Sequence, residues 1–152
     1  MTWFSQTSFG FPVTESVLMR LDTVLYEIFD AVCENRLADI EIKWSDKRAV
    51  CVVLASGGYP GSYEKGKEIT GLNKVDDVVV VFHAGTASQH ICDENSCRSA
   101  IVTSGGRVLG VTATGATHEE ARAKAFDNVK RISFEGMQYR NDIGIINDTE
   151  KK

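Results

Sequence analysis

The sequence predicts an α+β domain with a mostly antiparallel sheet and flanking helices. Three observations predict this fold class: apolar residues recur at helical spacing from Val17 to Cys33, short apolar runs of strand length follow, and a capping motif opens a second helix near residue 119. The order helix, strands, helix and tail is typical of α+β domains. The 152 residues are 43% apolar and 25% charged, as expected for one globular domain.

Two helices are predicted on either side of the strands. The three- and four-residue steps between apolar side chains predict one amphipathic helix of about five turns over residues 17–36. Thr117-His118-Glu119-Glu120 fits a capping box, and the spacing after it predicts a second helix from about Glu119 to Ile132, ended by Gly136. Residues 1–16 show no steady period, so we expect an irregular arm there.

Between the helices, apolar runs alternate with turn residues, which predicts strands. Residues 84–99 are polar and predict a loop. Ser104-Gly105-Gly106 predicts a hairpin turn between the strands beside it. In chain order, the predicted strands are a half-buried strand at 40–44, a central strand at 49–55, a buried strand at 78–82, and the hairpin strands at 101–103 and 107–113.

Composition and charge exclude several classes of function. The chain has 17 basic and 21 acidic side chains, a net charge of −4 and no long Lys/Arg stripe, so we expect no nucleic-acid partner. It has no window of about 18 consecutive apolar residues, so we expect no membrane-spanning helix. Residues 1–16 lack the pattern of a signal peptide. We therefore expect a cytoplasmic chain with reduced thiols.

The loop from Ser56 to Tyr63 is the most informative local feature for function. Its glycines, which flank Tyr59 and Pro60, permit unusual backbone angles and let another molecule approach the main chain. Free amides in such a loop can hold an anion, and Lys65 would add positive charge. The other interpretation is a tight connection between two strands, since turns use the same residue types.

Single side chains beside other turns are further candidates. His83 ends a predicted strand and is either structural, or hydrogen-bonds a substrate or acts as a proton carrier. Arg107 follows a glycine turn and either binds a phosphate or carboxylate or forms a surface ion pair. Arg140 is a second candidate for anion binding, or it pairs with Asp142. The sequence shows no nucleophile–base pair, so we assign no catalytic residue.

One cluster resembles a metal site: His90, Cys92 and Cys97, with Asp93 and Glu94. The spacing H-x-C-x4-C differs from the usual zinc patterns, so we assign no metal site. We expect the two cysteines to be exposed thiols in a loop. They would pair if their Cβ atoms came close enough.

Four motifs together resemble one family. They are AVCVVLASGGYPGSYEKGKEITGL at 49–72, VFHAGTA at 81–87, VTSGGRVLGVTATGAT at 102–117 and ISFEGMQYRNDIG at 132–144. In this order they are similar to the C-terminal domain of the phosphoribosylamine–glycine ligases, which are ATP-grasp enzymes of purine synthesis. The helix at 17–36 and the residues after it resemble the end of the ATP-grasp region.

The resemblance implies an activity and a set of site residues. Enzymes of this family use ATP and Mg²⁺ to activate glycine as an acyl phosphate, which the amine of 5-phosphoribosylamine then attacks. Their C-terminal domain has a rudiment single hybrid-like fold and forms the substrate-side wall of the site. Carried over to this sequence, the substrate-binding residues would be Gly57, Gly58, Tyr59, Pro60, Gly61, His83, Gly85, Thr86 and Arg107.

The match fails where family members hold their metal ions. They carry Glu-x-Asn-x-Arg-Phe-Gly-Asp-Pro-Glu before the long helix, and here Phe4 and Gln6 replace the metal-binding Glu and Asn. Ser8, Phe11 and Val13 replace the Arg, the Asp and the second Glu. Because a phenylalanine offers Mg²⁺ no oxygen ligand, we expect this chain alone to bind neither the metal nor ATP.

Three interpretations stay open. The chain is a C-terminal ligase fragment whose ATP-grasp lobes are on another chain or lost, or an inactive degenerate module that keeps a phosphate site, or the product of a disrupted gene. The expected partners are glycine and 5-phosphoribosylamine. The resemblance divides the chain into the irregular arm at 1–16, the terminal ATP-grasp helix and connecting strand at 17–45, the C-terminal domain at 46–146 and a tail at 147–152.

Overall fold

The computed structural model describes residues 10, 12–92 and 97–145. Short 3-10 helices at Leu37–Asp39 and Leu72–Lys74 supplement the main elements. None of the helices within the described ranges is long and apolar enough to cross a bilayer. In chain order, the main elements are α1 (Val13–Leu18), α2 (Leu25–Cys33), β1 (Arg48–Ala55), β2 (Val79–His83), β3 (Thr86–Cys92), β4 (Cys97–Thr103), β5 (Arg107–Gly115) and α3 (His118–Val129).

Strand β5 lies at the centre of a three-stranded antiparallel sheet. On one side β1 pairs with it, from Arg48 opposite Gly115 to Ala55 opposite Arg107, with a register shift after Leu54. On the other side β2 pairs with it. Strands β3 and β4 form a separate antiparallel pair. The predicted fold class, α+β with antiparallel sheets and flanking helices, is therefore confirmed.

Helix α3 packs against β1 and β5 and closes the core. The Thr117 hydroxyl caps its start by accepting a hydrogen bond from the Glu120 amide at 3.1 Å, as the capping box predicts. Alternate residues of a strand share one face, which places every second residue of β1 and β5 beside α3. The buried core includes Val50, Val52, Leu54, Leu109, Val111, Ala113, Ala121, Ala125 and Val129.

The single long helix predicted over residues 17–36 is wrong. The chain forms α1 and α2 instead, and α1 begins at Val13, inside the segment predicted to be irregular. The residues between α1 and α2 are not helical, because their main chain pairs with residues 43 and 44. The amides of Asp22 and Thr23 donate to the Lys43 carbonyl at 3.0 and 3.4 Å, and Leu21 bridges to Trp44. This long-range pairing is invisible in a local apolar pattern.

The strand predicted at 40–44 is also wrong, since Trp44 alone of these residues makes a bridge, to Leu21. The strand at 49–55 is confirmed within β1, but it lies at a sheet edge rather than at the centre. Its continuous apolar run has another cause: α3 packs on it and α1 contacts it as well, so consecutive residues from Val50 to Val52 are buried.

The polar loop predicted at 84–99 is an exposed hairpin of β3 and β4 within the described residues. Both faces of β3 are largely exposed, so its strands need no apolar alternation. A disulfide joins Cys92 to Cys97, which overturns the expectation of reduced thiols at these two positions. Cys33 and Cys51 are free.

Two further expectations at turns fail. Ser104-Gly105-Gly106 is a turn, but it carries the chain from the β3–β4 pair into the main sheet and does not join two paired strands. Helix α3 ends at Val129, earlier than predicted. Gly136 does adopt a positive φ of 73°, but it serves a later turn that lies against Gly57.

Candidate functional site

Three glycine-containing turns meet at one edge of the main sheet. They follow β1, follow β2 and precede β5, and the antiparallel pairing brings these strand ends together. The Ser56 amide donates to the Gly106 carbonyl at 2.8 Å, and the Ser56 hydroxyl donates to the Gly105 carbonyl at 2.9 Å. The Ser104 amide donates to the Gly85 carbonyl at 2.8 Å. Main-chain hydrogen bonds therefore fix the turns to one another.

Glycine is required where these turns touch. A Cβ atom on Gly85 would lie 2.4 Å from the Arg107 carbonyl oxygen. A Cβ atom on Gly106 would lie 2.1 Å from the Tyr59 ring. Non-bonded carbon atoms do not approach one another this closely. The Tyr59 ring can therefore pack against residue 106 only because that residue is a glycine.

The first cavity at this edge, which we call the polar cavity, has a volume of about 450 Å³. It contains a guanidinium, a carboxylate and an imidazole. The Glu15 Oε2 atom is buried and has no hydrogen-bond partner among the described residues. His83 Nδ1 lies 2.9 Å from the Thr86 hydroxyl. The lining residues are Glu15, Tyr59, His83, Ala84, Gly85, Gly105, Gly106 and Arg107.

A second cavity of about 430 Å³, the apolar cavity, shares Tyr59 and Arg107 with the first. The Gln138 amide nitrogen donates to the Tyr59 carbonyl at 2.9 Å, which ties the residue 138 segment to the loop after β1. Arg140 makes a bidentate pair with Asp142, at 2.9 and 2.5 Å, as one of the sequence interpretations predicts. The lining residues are Val53, Ala55, Tyr59, Arg107, Gln138, Tyr139 and Arg140.

The structure brings four of the predicted substrate-binding residues into the polar cavity: Tyr59, His83, Gly85 and Arg107. Thr86 reaches it through its contact with His83. The remaining four, all in the loop after β1, are not among the lining residues. Gly57 faces a smaller cavity beside Lys67, Gly58 has a positive φ of 94°, Pro60 follows a cis peptide bond, and Gly61 lies near the Gly58 carbonyl.

Sequence reasoning missed Glu15 as a cavity residue. It lies on α1, in the segment that showed no helical period, and no local pattern indicates that α1 docks beside β1. Beneath α1, burial raises the pKa of the Cys51 thiol, and the nearby Glu15 charge raises it further. This thiol is therefore protonated at neutral pH and is not a nucleophile.

The proposed anion-binding amides are partly occupied. In the loop after β1, the Tyr59 amide donates to the Ser56 carbonyl at 3.1 Å. In the turn after β2, the Gly85 amide donates to the Val108 carbonyl at 3.0 Å. Lys67 rather than Lys65 forms the ion pairs near this loop, with Glu64 at 2.7 Å and with Glu135. Positive charge in the polar cavity therefore comes from the Arg107 side chain.

Comparison with known proteins gives a consistent set of relatives. Residues 49–145 match the family described as Phosphoribosylglycinamide synthetase, C domain. Phosphoribosylamine–glycine ligases from Caldanaerobacter subterraneus and a Synechocystis species are each 46% identical, over 89% and 90% of this chain and 30% and 31% of the relatives. The bifunctional purine biosynthetic protein purD of Dictyostelium discoideum is 46% identical over 94% of this chain and 17% of that protein.

A solved structure agrees with these relatives. The crystal structure of phosphoribosylamine–glycine ligase from Thermotoga maritima superposes with a TM-score of 0.62 and 36% sequence identity, over 88% of this chain and 31% of that one. The chain thus spans about a third of the length of the single-function ligases that it matches.

Proposed function

Since this chain belongs to the phosphoribosylglycinamide synthetase family and contains its C domain, we propose that it forms the substrate-side wall of a cytoplasmic ligase that joins glycine to 5-phosphoribosylamine. The observation that carries this proposal is the polar cavity, where three glycine turns place Tyr59, His83 and Arg107 around one space. Its volume suits a small ligand such as a sugar phosphate.

The polar side chains that line the polar cavity match parts of 5-phosphoribosylamine. The Arg107 guanidinium offers paired N–H donors to the phosphate group. The Glu15 carboxylate, which lines the polar cavity, can accept a hydrogen bond from the amine or from a ribose hydroxyl. His83, held by Thr86, adds a ring nitrogen for a second polar contact. The wall therefore binds and orients the substrate, and no covalent step is assigned to it.

ATP and Mg²⁺ belong, in this proposal, to the part of the ligase that the chain does not span. Mg²⁺ requires several oxygen ligands. Within residues 10, 12–92 and 97–145, no group of three or more His, Cys, Asp or Glu side chains is placed to hold a metal ion. The described residues do not fit a resident Mg²⁺, so no step through the metal or nucleotide is derived for them.

A second candidate function is a binding module that holds a sugar phosphate without ligase activity. The departures from the family motif at Phe4 and Gln6 favour it, although both positions lie outside the described residues. Both candidates use the same polar cavity, so both predict sugar-phosphate binding. They differ in whether glycine is joined when the remaining ligase polypeptide is supplied.

Titration calorimetry with ribose 5-phosphate tests the shared claim. Arg107→Ala should weaken binding about 10- to 100-fold, because a hydrogen bond to a charged group contributes about 1.5–3 kcal/mol. Arg140→Ala is the matched control, since this arginine lines the apolar cavity but not the polar cavity. Its affinity should stay within about twofold of the wild type. Equal affinity for Arg107→Ala and the wild type would remove the polar cavity from the proposal.

A further inference from the structure

Residues 24–44, which we call the α2 region, carry a large exposed apolar surface. Helix α2 packs against its neighbouring 3-10 helix, Leu37–Asp39, and Ala31 is its buried residue. The exposed fraction is 73% for Tyr26, 59% for Phe29 and 52% for Val32. The exposed apolar side chains of the region are Val24, Leu25, Tyr26, Phe29, Val32, Leu37, Ile42 and Trp44.

These side chains form a surface rather than isolated exposures. Leu25, Phe29 and Val32 lie at steps of four and three residues, so they share one face of α2. An amphipathic helix of a water-soluble domain normally turns such a face toward a partner. Contiguous exposed apolar patches mark interaction sites. No described element outside the α2 region packs on this face closely enough to bury it.

The charge of the α2 region indicates what kind of protein surface would bind to its apolar face. The region contains five acidic side chains and two basic ones, a net charge of −3. Arg36 pairs with Asp30 and Glu34, which leaves Glu27 among the exposed acids beside the apolar stripe. Two copies that met through this face would bring like charges together, which disfavours self-association. An apolar surface with basic residues at its rim would be complementary.

The relatives indicate where such a surface is found. The Caldanaerobacter ligase matches 135 of the 152 residues, which leaves at most 17 unmatched. A continuous match of 135 residues begins at residue 18 at the latest and ends at residue 135 at the earliest, so it always includes residues 18–135. The α2 region is therefore shared with that ligase. The C domain begins only at residue 49, so the region precedes it. About two thirds of the relative's polypeptide lies outside the match.

We propose that the exposed apolar face of α2 docks onto the rest of the ligase polypeptide. This is the part that corresponds to the two thirds of the Caldanaerobacter ligase that this chain does not match. This inference rests on the proposed function, because it names the protein part that would complete the site. It places the contact on Leu25, Phe29 and Val32, outside the C domain.

Cys33 provides a direct readout of docking. It is an exposed free thiol at the end of α2, whereas Cys51 is buried and Cys92 and Cys97 are joined. The full chain is mixed with the unmatched part of the Caldanaerobacter ligase, produced as a separate polypeptide. We expect a one-to-one complex by light scattering and at least about fivefold slower maleimide labelling of Cys33, because a docked face excludes the reagent.

Matched substitutions locate the contact. Val32→Asp should weaken the complex at least about tenfold, because it places a charge in a desolvated apolar interface. Val78→Asp is the control, since Val78 is 67% exposed and lies outside the α2 region. It should leave the affinity unchanged. Equal effects of the two substitutions would overturn the proposal.

Other outcomes separate this inference from the proposed function. If the chain binds ribose 5-phosphate but forms no complex, the docking proposal fails and the polar cavity stands. If the complex forms but ribose 5-phosphate does not bind, the proposed function fails and the docking surface stands. If maleimide labelling of Cys33 in the chain alone becomes slower as the chain concentration rises, then a second copy covers the face and the docking proposal is wrong.

Discussion

Helices α3 and α2 both carry an apolar stripe, but one lies on a sheet and the other faces solvent. Helix α3 places Ala121, Ala125 and Val129 in the core against β1 and β5. Helix α2 carries larger apolar side chains, such as Phe29, and leaves them exposed. An amphipathic pattern therefore predicts a helix with one apolar face, but it does not indicate whether that face is buried within the same domain.

The largest effect should come from comparing the same substitution in the two regions. Leu109→Ala, at a fully buried position of β5, should lower the free energy of unfolding by about 3 kcal/mol, because it leaves a cavity as well as losing apolar burial. Leu37→Ala, in the exposed α2 region, should change it by less than about 0.5 kcal/mol. Urea unfolding of both variants measures the difference. A similar loss from Leu37→Ala would show that the α2 region is packed within the chain.

Two substitutions of polar residues, one on α3 and one beside α2, test the same comparison. Asn128 on α3 is buried, accepts a hydrogen bond from the Asp76 amide at 2.8 Å and donates to the Lys124 carbonyl at 2.9 Å. Asn128→Ala should lower the free energy of unfolding by about 2 kcal/mol, because it leaves the Asp76 amide without its partner. Arg36→Ala, which removes the surface pairs of α2, should give no measurable loss. Thermal unfolding that ranked these two variants in the opposite order would contradict the comparison.

The smallest effect should be a pH dependence at the junction of β2 and α3. Hydrogen bonds from Arg131 at 2.6 Å, and then from Asn128 at 3.1 Å, lower the pKa of Asp76. Because the pKa of Asp76 is lower in the folded state, its charged form stabilises the fold. This stabilisation is complete at pH values above the ordinary aspartate pKa of about 3.9, and it is lost as the pH falls through the lowered pKa. The difference in unfolding free energy between wild type and Asp76→Asn should therefore shrink below about pH 4. A difference that stays constant down to about pH 2 would exclude this linkage.

Much of the fold follows from local pattern, and the failures share one cause. The capping box, the apolar run of β1 and the run of β2 each predict an element that forms. The long helix at 17–36 fails because Asp22 and Thr23 pair with Lys43, about 20 residues away in sequence. Strand β3 and the first residues of β4 escape prediction because they are largely exposed on both faces and so lack an apolar alternation. Long-range pairing and exposure are set by tertiary structure, which single-sequence periodicity does not contain.

The site follows the same rule. Tyr59, His83 and Arg107 each lie beside a glycine turn at a strand end, so local chemistry identifies them one by one. Their meeting in one cavity depends on the strand order β1–β5–β2, which no local motif specifies. Glu15 has no local signal, because its place in the cavity depends on the docking of α1. Sequence reasoning thus named candidate side chains but not the space that they enclose.

The central position of β5 constrains the order in which the chain can assemble. Within the described part of the chain, β5 is the last of the five strands in sequence, and both β1 and β2 pair with it. During synthesis on a ribosome, these two earlier strands emerge with their hydrogen-bonding edges open until β5 arrives. We therefore expect translation products that stop before Arg107 to aggregate, whereas chains that extend past Gln138 contain the described pairing partners of both β1 and β2.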